Sequence, residues 1–292
     1  MRILAFICLL ILSGLTGLYS QDTGDVQVKS GYMKVPEGSL YYEEAGTGEP
    51  LIFIHGHSLD RRMWNEQFFK FAKHYRAIRY DLRGYGISSK QTEDFQFTHA
   101  EDLVALMDAA GCSREVIANG ADMLGCFPDR MLSAFLASGN IRKSKGPSEP
   151  MTKEEAAKRD EEIAALEKKG VDVMKKEWFE GLMQSGGTRK ERMRVPLWEM
   201  IDDWDAWQPL HKEVRVIIGL DAYAKLKENH PQVPTLIVEG RSPGNRYSDH
   251  PEILDYLPNG KLKVLDDCGH MMNMEQPEAF NEALEEFLND LE

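Results

Sequence analysis

The sequence is short of positive charge, of cysteine and of long apolar runs. Its 35 Lys and Arg stand against 48 Asp and Glu, giving a net charge of −13 over 292 residues. That deficit argues against non-specific binding to nucleic acid or to anionic lipid, since both recruit basic surface. Its plain consequence is solubility. The 4 cysteines, Cys8, Cys112, Cys126 and Cys268, form no C-x-x-C pair and are too sparse for a disulfide scaffold. Three remain once the leader described below is removed, so at least one has no partner within the chain. Cys126 and Cys268 read as small core residues. There is no H-E-x-x-H, no cluster of ligands at metal spacing, no P-loop and no G-x-G-x-x-G. Neither a metal nor a nucleotide cofactor is therefore expected. Internal repeats and low-complexity segments are also missing.

The only long apolar stretch opens the chain. Arg2 precedes the run Ile3 to Leu12, and small and polar residues lead on to Ser20-Gln21. A positive start, an apolar stretch and a small residue before the cut are the layout of a secretory signal peptide. Residues 1–20 are thus expected to be a signal peptide, and the mature protein to be exported, periplasmic or secreted. An uncleaved anchor is the alternative. The apolar core is short for that role and is interrupted by Ser13 and Gly14. Beyond it no stretch is long enough to span a bilayer, so no membrane association is expected after cleavage.

What is present is the alternation of an ordinary α/β protein, with 42% hydrophobic and 28% charged residues to build and solvate one large core. Leu51 to Ser58 reads LIFIHGHS. Four apolar residues without polar interruption are the pattern of a strand buried on both faces, as in a parallel sheet. Before it, Val28–Val35 and Leu40–Glu44 read as a strand pair. After it, apolar residues at helical spacing run from Arg62 to His74, and Tyr75–Tyr80 is a strand. His99–Ala110 is an amphipathic helix; strands begin at Glu115 and at Leu132. Pro234–Gly240 and Leu262–Leu265 are later strands, Pro251–Tyr256 begins a helix, and Glu278–Leu291 closes the chain as a helix.

Between Asn140 and His230 the texture changes. Lys and Glu run densely from Lys153 to Lys169, a solvated helix by propensity. Trp178, Trp198, Trp204 and Trp207 all fall here, and strand patterns are missing. The segment reads as a helical insertion whose tryptophans fit the wall of an apolar pocket.

Four pieces now stand in order: LIFIHGHSLDRRMW, YDLRGYGISS, PTLIVEG and LDDCGHMMNMEQPEAFNEALEEFL. Together they resemble the α/β-hydrolase superfamily, in its capped, esterase- and lipase-like branch. The resemblance covers about residues 31–292 and is weakest over the insertion. It implies an α/β-hydrolase fold: a mostly parallel central sheet flanked by helices, with a helical cap. The core would comprise residues 28–139 and 231–292, and the cap residues 140–230. It also implies roles. The turn after His55-Gly56 would offer a backbone N–H, from His57 or Ser58, to an oxyanion hole. His270, after a strand and in the context Asp-Cys-Gly-His, stands where the family keeps its catalytic histidine, the group that takes and returns a proton. Asp81, Arg83 and Gly84 match a motif that fixes the loop near the site.

The chain departs from the family in two places. The family's G-x-S-x-G nucleophile elbow occurs nowhere; residues 111–139 read GCSREVIANGADMLGCFPDRMLSAFLASG. In one alignment Glu115–Ile117 starts the strand and Ala118–Phe127 is the end of the following helix, so the elbow is missing. In the other, Glu115–Asn119 is the strand and Gly120–Gly125 the elbow, with Asp122 attacking as a carboxylate, as in dehalogenases and epoxide hydrolases. Leu124 where a small residue is needed, and a helix of about one turn before Pro128, weigh against the second. The acid is the other departure. In the loop Arg241–His250 the only carboxylate is Asp249, later than the family's position near Ser242; Asn245 could orient a histidine by hydrogen bond.

Three readings follow. The leading one is a monomeric hydrolase of a small, apolar carboxylic ester or related acyl substrate, with His270, Asp122 and Asp249 as catalytic candidates and His57 and Ser58 at the oxyanion hole. The second is a non-catalytic small-molecule-binding protein on the same scaffold. The third is a deletion form of an active parent with a longer segment after Ile117.

Overall fold

The computed structural model describes residues 26–92, 95, 97–113, 115–118 (backbone only), 121–138, 152–211, 221–245 and 248–291. The expected signal peptide, residues 1–20, lies outside the described residues. Among those described, no helix is long and apolar enough to cross a membrane.

Eight strands form one sheet: β1 (Val28–Val35), β2 (Gly38–Ala45), β3 (Pro50–Ile54), β4 (Arg76–Tyr80), β5 (Glu115–Ala118), β6 (Met131–Ala137), β7 (Thr235–Arg241) and β8 (Gly260–Asp266). Their order is β1-β2-β4-β3-β5-β6-β7-β8. The β1–β2 hairpin is antiparallel and joins β4 antiparallel; every other pairing is parallel. The apolar run of β3 explains its central place. Leu51 and Phe53 enter one core cluster with Trp64, Phe68 and Phe280, while Ile52 and Ile54 enter another with Leu103, Leu106 and Met107. Alternate side chains point to opposite faces of a strand, so an uninterrupted apolar run needs cover on both. Each such side chain contributes about 1.5–3 kcal/mol relative to exposure.

Helices α1 (Asn65–Phe71) and α9 (Pro277–Asn289) cover the first face, and α2 (His99–Ala109) covers the second. The helix expected over Arg62–His74 is divided. A 3-10 turn, Arg61–Trp64, precedes α1, and its start is set by Asp60, whose carboxylate accepts the Arg62 N–H at 2.9 Å. The helix expected from Pro251 is only a 3-10 turn, Glu252–Tyr256. Leu257 takes an extended ψ of 89° because Pro258 follows it, and the turn cannot propagate.

The first alignment of the central segment is corrected at Ala118. That residue belongs to β5, paired with Phe53 on one side and Phe135 on the other, because a central strand must satisfy its peptides from both neighbours. The helix that follows, α3 (Ala121–Cys126), has 6 residues. Between β6 and β7 lie α4 (Lys153–Lys169), α5 (Val171–Ser185), α6 (Arg194–Asp203) and α7 (Ala222–Asn229). Helix α4 buries no residue. It is held from one side by Arg159, which donates to the carbonyls of Gln208, Pro209 and His211. Phe179, Leu182 and Met183 of α5 pack with Leu197, Met200 and Ile201 of α6 in the same cluster as Leu51 and Phe53. The segment therefore rests on the sheet's carboxyl-end side as part of one core.

Candidate active site

The carboxyl ends of parallel strands are where an open α/β sheet leaves a crevice for a ligand. Six strands, β3 to β8, run parallel, and the described loops after β3, β4, β7 and β8 lie at their carboxyl ends.

The turn after β3 is braced from below. His55 is buried, and its Nε2 accepts the Leu82 backbone N–H at 2.9 Å. The proton is thereby left on Nδ1, which donates to the Gly56 carbonyl at 2.8 Å. Burial lowers the His55 pKa and holds this neutral tautomer. Ser58 is also buried and takes a φ of 63°, a left-handed conformation that disfavours a residue with a Cβ. Its hydroxyl donates to the His57 carbonyl at 2.6 Å and accepts the Trp178 indole N–H at 2.7 Å. The Ser58 backbone N–H has no acceptor among the described residues. The His57 ring is exposed, with Nδ1 2.9 Å from the Tyr85 hydroxyl and the Trp204 ring centroid 4.8 Å away, edge-on. Trp178 approaches the same imidazole at 6.1 Å. Two of the insertion's tryptophans thus roof this turn.

The adjoining motif loop explains why the turn is held. The Asp81 carboxylate accepts the N–H groups of Arg61 and Ile87 at 2.9 and 3.0 Å and the Arg61 guanidinium at 2.9 Å. Arg83 is buried and donates to both Asp102 oxygens at 2.8 Å and to the Pro36 carbonyl at 2.8 Å. This is the fixing role expected for Asp81 and Arg83.

His270 stands in the turn after β8. Solvent reaches its side chain, while the protein packed around it still lowers its pKa by burial. The peptide before it is fixed: Gly269 N–H donates to Glu275 at 2.9 Å, and the Gln276 amide donates to the carbonyls of Asp266 and Asp267. Cys268 is fully buried, and burial pushes its thiol up to about 12, the inert core role expected of it. Cys126 is only half-buried.

The other candidates are placed apart from these contacts. Asp122 is the second residue of α3 and is half-buried. Asp249 is exposed, and no hydrogen bond joins it to His270. Asn245 donates instead to the Gly240 carbonyl at 2.5 Å, and Ser242 donates to the Ser185 carbonyl. Among the described residues, no carboxylate bonds the His270 ring, and no cluster of His, Cys, Asp or Glu could hold a metal ion. Sequence reasoning missed Tyr85 and Glu275. A carboxylate following the apolar residues Met271, Met272 and Met274 was the available sign of the latter.

Known proteins share this arrangement of elements. The chain is 22% identical over 263 residues to (E)-2-((N-methylformamido)methylene)succinate hydrolase of Acinetobacter baylyi, covering 86% of this chain and 94% of the relative. It is 27% identical over 277 residues to the non-heme chloroperoxidase CPO-A1 of Kitasatospora aureofaciens, covering 86% and 96%. Among solved structures, one titled "Est816 as an N-Acyl homoserine lactone degrading enzyme" superposes with a TM-score of 0.63 at 26% identity, covering 88% of this chain and all (100%) of that one. The family model described as "Alpha/beta hydrolase family" matches residues 51–283. A match over that span, on this strand order and with the site at the carboxyl ends of the strands, shows that the chain belongs to the alpha/beta hydrolase family.

Proposed function

We propose that the protein hydrolyses a small, apolar carboxylic ester or lactone, with His270 as general base and acid. Two features, each at the carboxyl end of a parallel strand, carry this reading. One is an imidazole in the turn after β8; the other is an unbonded Ser58 N–H in the turn after β3, under Trp178 and Trp204. Lactone and ester hydrolysis among similar proteins, such as the lactone-degrading enzyme above, supports the substrate class.

In a chain without a serine elbow, the step that needs fewest further groups is direct attack by water. His270 takes a proton from a water molecule as its oxygen bonds to the substrate carbonyl carbon. The carbonyl oxygen becomes an oxyanion, for which the backbone N–H of His57 or Ser58 is the proposed donor. Collapse breaks the bond to the leaving alkoxide, and His270 returns the proton to it. Burial keeps the imidazole neutral at pH 7, as a base must be. Asp122 is the alternative nucleophile; its attack would give an anhydride that water then cleaves.

The test is turnover of a nitrophenyl acetate ester by the purified protein. His270→Ala is expected to lower the rate on the order of 100-fold or more, the usual share of general base catalysis. Asp122→Ala is expected to leave it within about 2-fold, a change worth under 0.5 kcal/mol of barrier. Equal loss in both variants replaces water by Asp122. No rate above buffer from folded protein overturns the proposal in favour of a second reading, a small-molecule-binding protein on a hydrolase scaffold. That reading is favoured by the lack of G-x-S-x-G in the sequence and, among the described residues, of a carboxylate on His270.

A further inference from the structure

Glu275 is fully buried, and the scheme above does not use it. It ends the short helix α8 (Met272–Glu275) that follows His270. Its two oxygens serve two distant segments. One accepts the Gly269 N–H at 2.9 Å, the peptide directly before His270. The other accepts the Gly187 N–H at 2.7 Å, in the turn between α5 and α6 of the insertion.

Those two segments interlock elsewhere. Asp267 accepts the Thr188 N–H at 2.9 Å and the Thr188 hydroxyl. A Cβ on Gly269 would run into the Ser185 carbonyl, and one on Gly187 into the Asp267 carbonyl. Glycine at both positions is what lets the backbones touch. A buried carboxylate is tolerated only while its oxygens are satisfied. Lifting the insertion off the His270 loop would strand one of them, so the two segments have a reason to separate only together.

We propose that Glu275 is a positioning residue: it fixes the 185–188 turn of the insertion to the peptide beside His270, so that the insertion and the His270 loop open and close as one unit. This rests on the reading of His270 as the base. Its consequence is that a ligand which lifts the insertion also displaces the imidazole, and closure restores both.

Native-state hydrogen exchange on the full chain reads the unit directly. In the wild type, the Gly187 and Gly269 amides are expected to exchange through one opening with equal protection. Gly187 exchanging at least about 10-fold faster than Gly269, a difference of 1.4 kcal/mol in opening, overturns the proposal. Glu275→Gln sets an amide NH₂ against one of the two N–H groups. Both amides should then exchange on the order of 10- to 100-fold faster, the usual weight of a hydrogen bond to a charged group.

The His270 imidazole titration, followed by NMR, should also rise toward about 6.5 as the loop becomes more solvated. The other charged groups around this loop, Asp266, Asp267 and Arg189, are unchanged in the variant. A variant that melts lower but keeps the wild-type His270 midpoint assigns Glu275 to stability alone and overturns the proposal. Should the variant not fold, the wild-type exchange comparison decides. None of these readouts needs turnover, so a chain without esterase activity refutes the hydrolytic reading while the exchange rates still judge Glu275.

Discussion

The loops after β3 and β4 are closed by buried polar contacts, whereas the loop after β7 lies open to solvent. On the closed side His55, Ser58, Asp60, Asp81, Arg83 and Ser88 are all buried. Each is bonded to a peptide or to an opposite charge. On the open side Arg241, Pro243, Gly244, Ser248, Asp249 and His250 are exposed; among the described residues the loop is tied by Ser242 and Asn245 and by the surface pairs Arg241–Asp266 and His250–Asp255. Both loops follow the carboxyl ends of parallel strands, and the hydrolase scheme asks different things of them. The closed side must present N–H groups to a developing oxyanion, a task that depends on preorganisation. The open side is where the scheme would look for an acid to orient the imidazole, and among its described residues no carboxylate bonds His270. The buried contacts thus lie on the side that doubles as core structure, and the exposed pairs on the side where the scheme would place the acid.

Arg83→Ala should break the closed side with the largest effect. It strands Asp102, a carboxylate whose pKa burial already raises, without its bidentate partner. It also removes a guanidinium lying 4.7 Å from the Phe97 ring centroid. Breaking a buried ion pair from one side costs about 3–5 kcal/mol, measurable as a shift of the urea midpoint. A loss below about 1 kcal/mol, the range of an exposed pair, would mean that the closed side is no better held than the open one.

The contrast was only partly legible in the sequence. LIFI announced β3 and its two-sided burial because each of its side chains obeys a local rule, and YDLRGYGISS announced a fixed loop. The strands' places along the chain followed from their apolar runs, and the mostly parallel sheet from the resemblance. Bonds that tie distant segments followed from neither. Ser58 and Trp178 are 120 positions apart, and Gly187 and Glu275 are 88 apart. No periodicity encodes such pairs; they exist only once the insertion has packed. The short α3 was visible as a difficulty, and it is also what the structure contains. A carboxylate partner for His270 was not legible, since the position near Ser242 holds none, and none bonds the ring among the described residues.

His99 is the flaw in the closed side and gives an intermediate effect. It begins α2 with its ring near Phe97 and Tyr85, and both ring nitrogens are buried without a hydrogen bond among the described residues. Burial pushes its pKa down to about 3. The unfolded chain, with an ordinary value of about 6.5, then binds the proton first, so stability is full above pH 6.5 and falls as the pH drops toward 3. The slope from this group is about 1.4 kcal/mol per pH unit within that window. His99→Phe should leave stability at pH 7.5 unchanged or raise it by about 1 kcal/mol, since an unpaired buried polar group is exchanged for an apolar one. Denaturant melts between pH 4.5 and 6.5 should show the slope reduced by about that amount, with the other histidines of lowered pKa, His55 and His270, contributing to the remainder. An unaltered slope would mean that His99 finds a partner in solution and that the closed side has no gap.

The smallest effect is expected on the open side. Asp249→Asn changes an exposed residue and should alter stability by no more than about 0.5 kcal/mol. The sharper measurement is the titration of His270. A carboxylate bonded to an imidazole stabilises the protonated ring, so its removal would lower the midpoint. With His270 and Asp249 unbonded, the midpoint should stay where burial alone has set it. A fall by about one pH unit, equivalent to 1.4 kcal/mol of lost interaction, would show that the loop folds inward to supply the acid. In that case the two sides differ in when they become ordered, not in whether they are built.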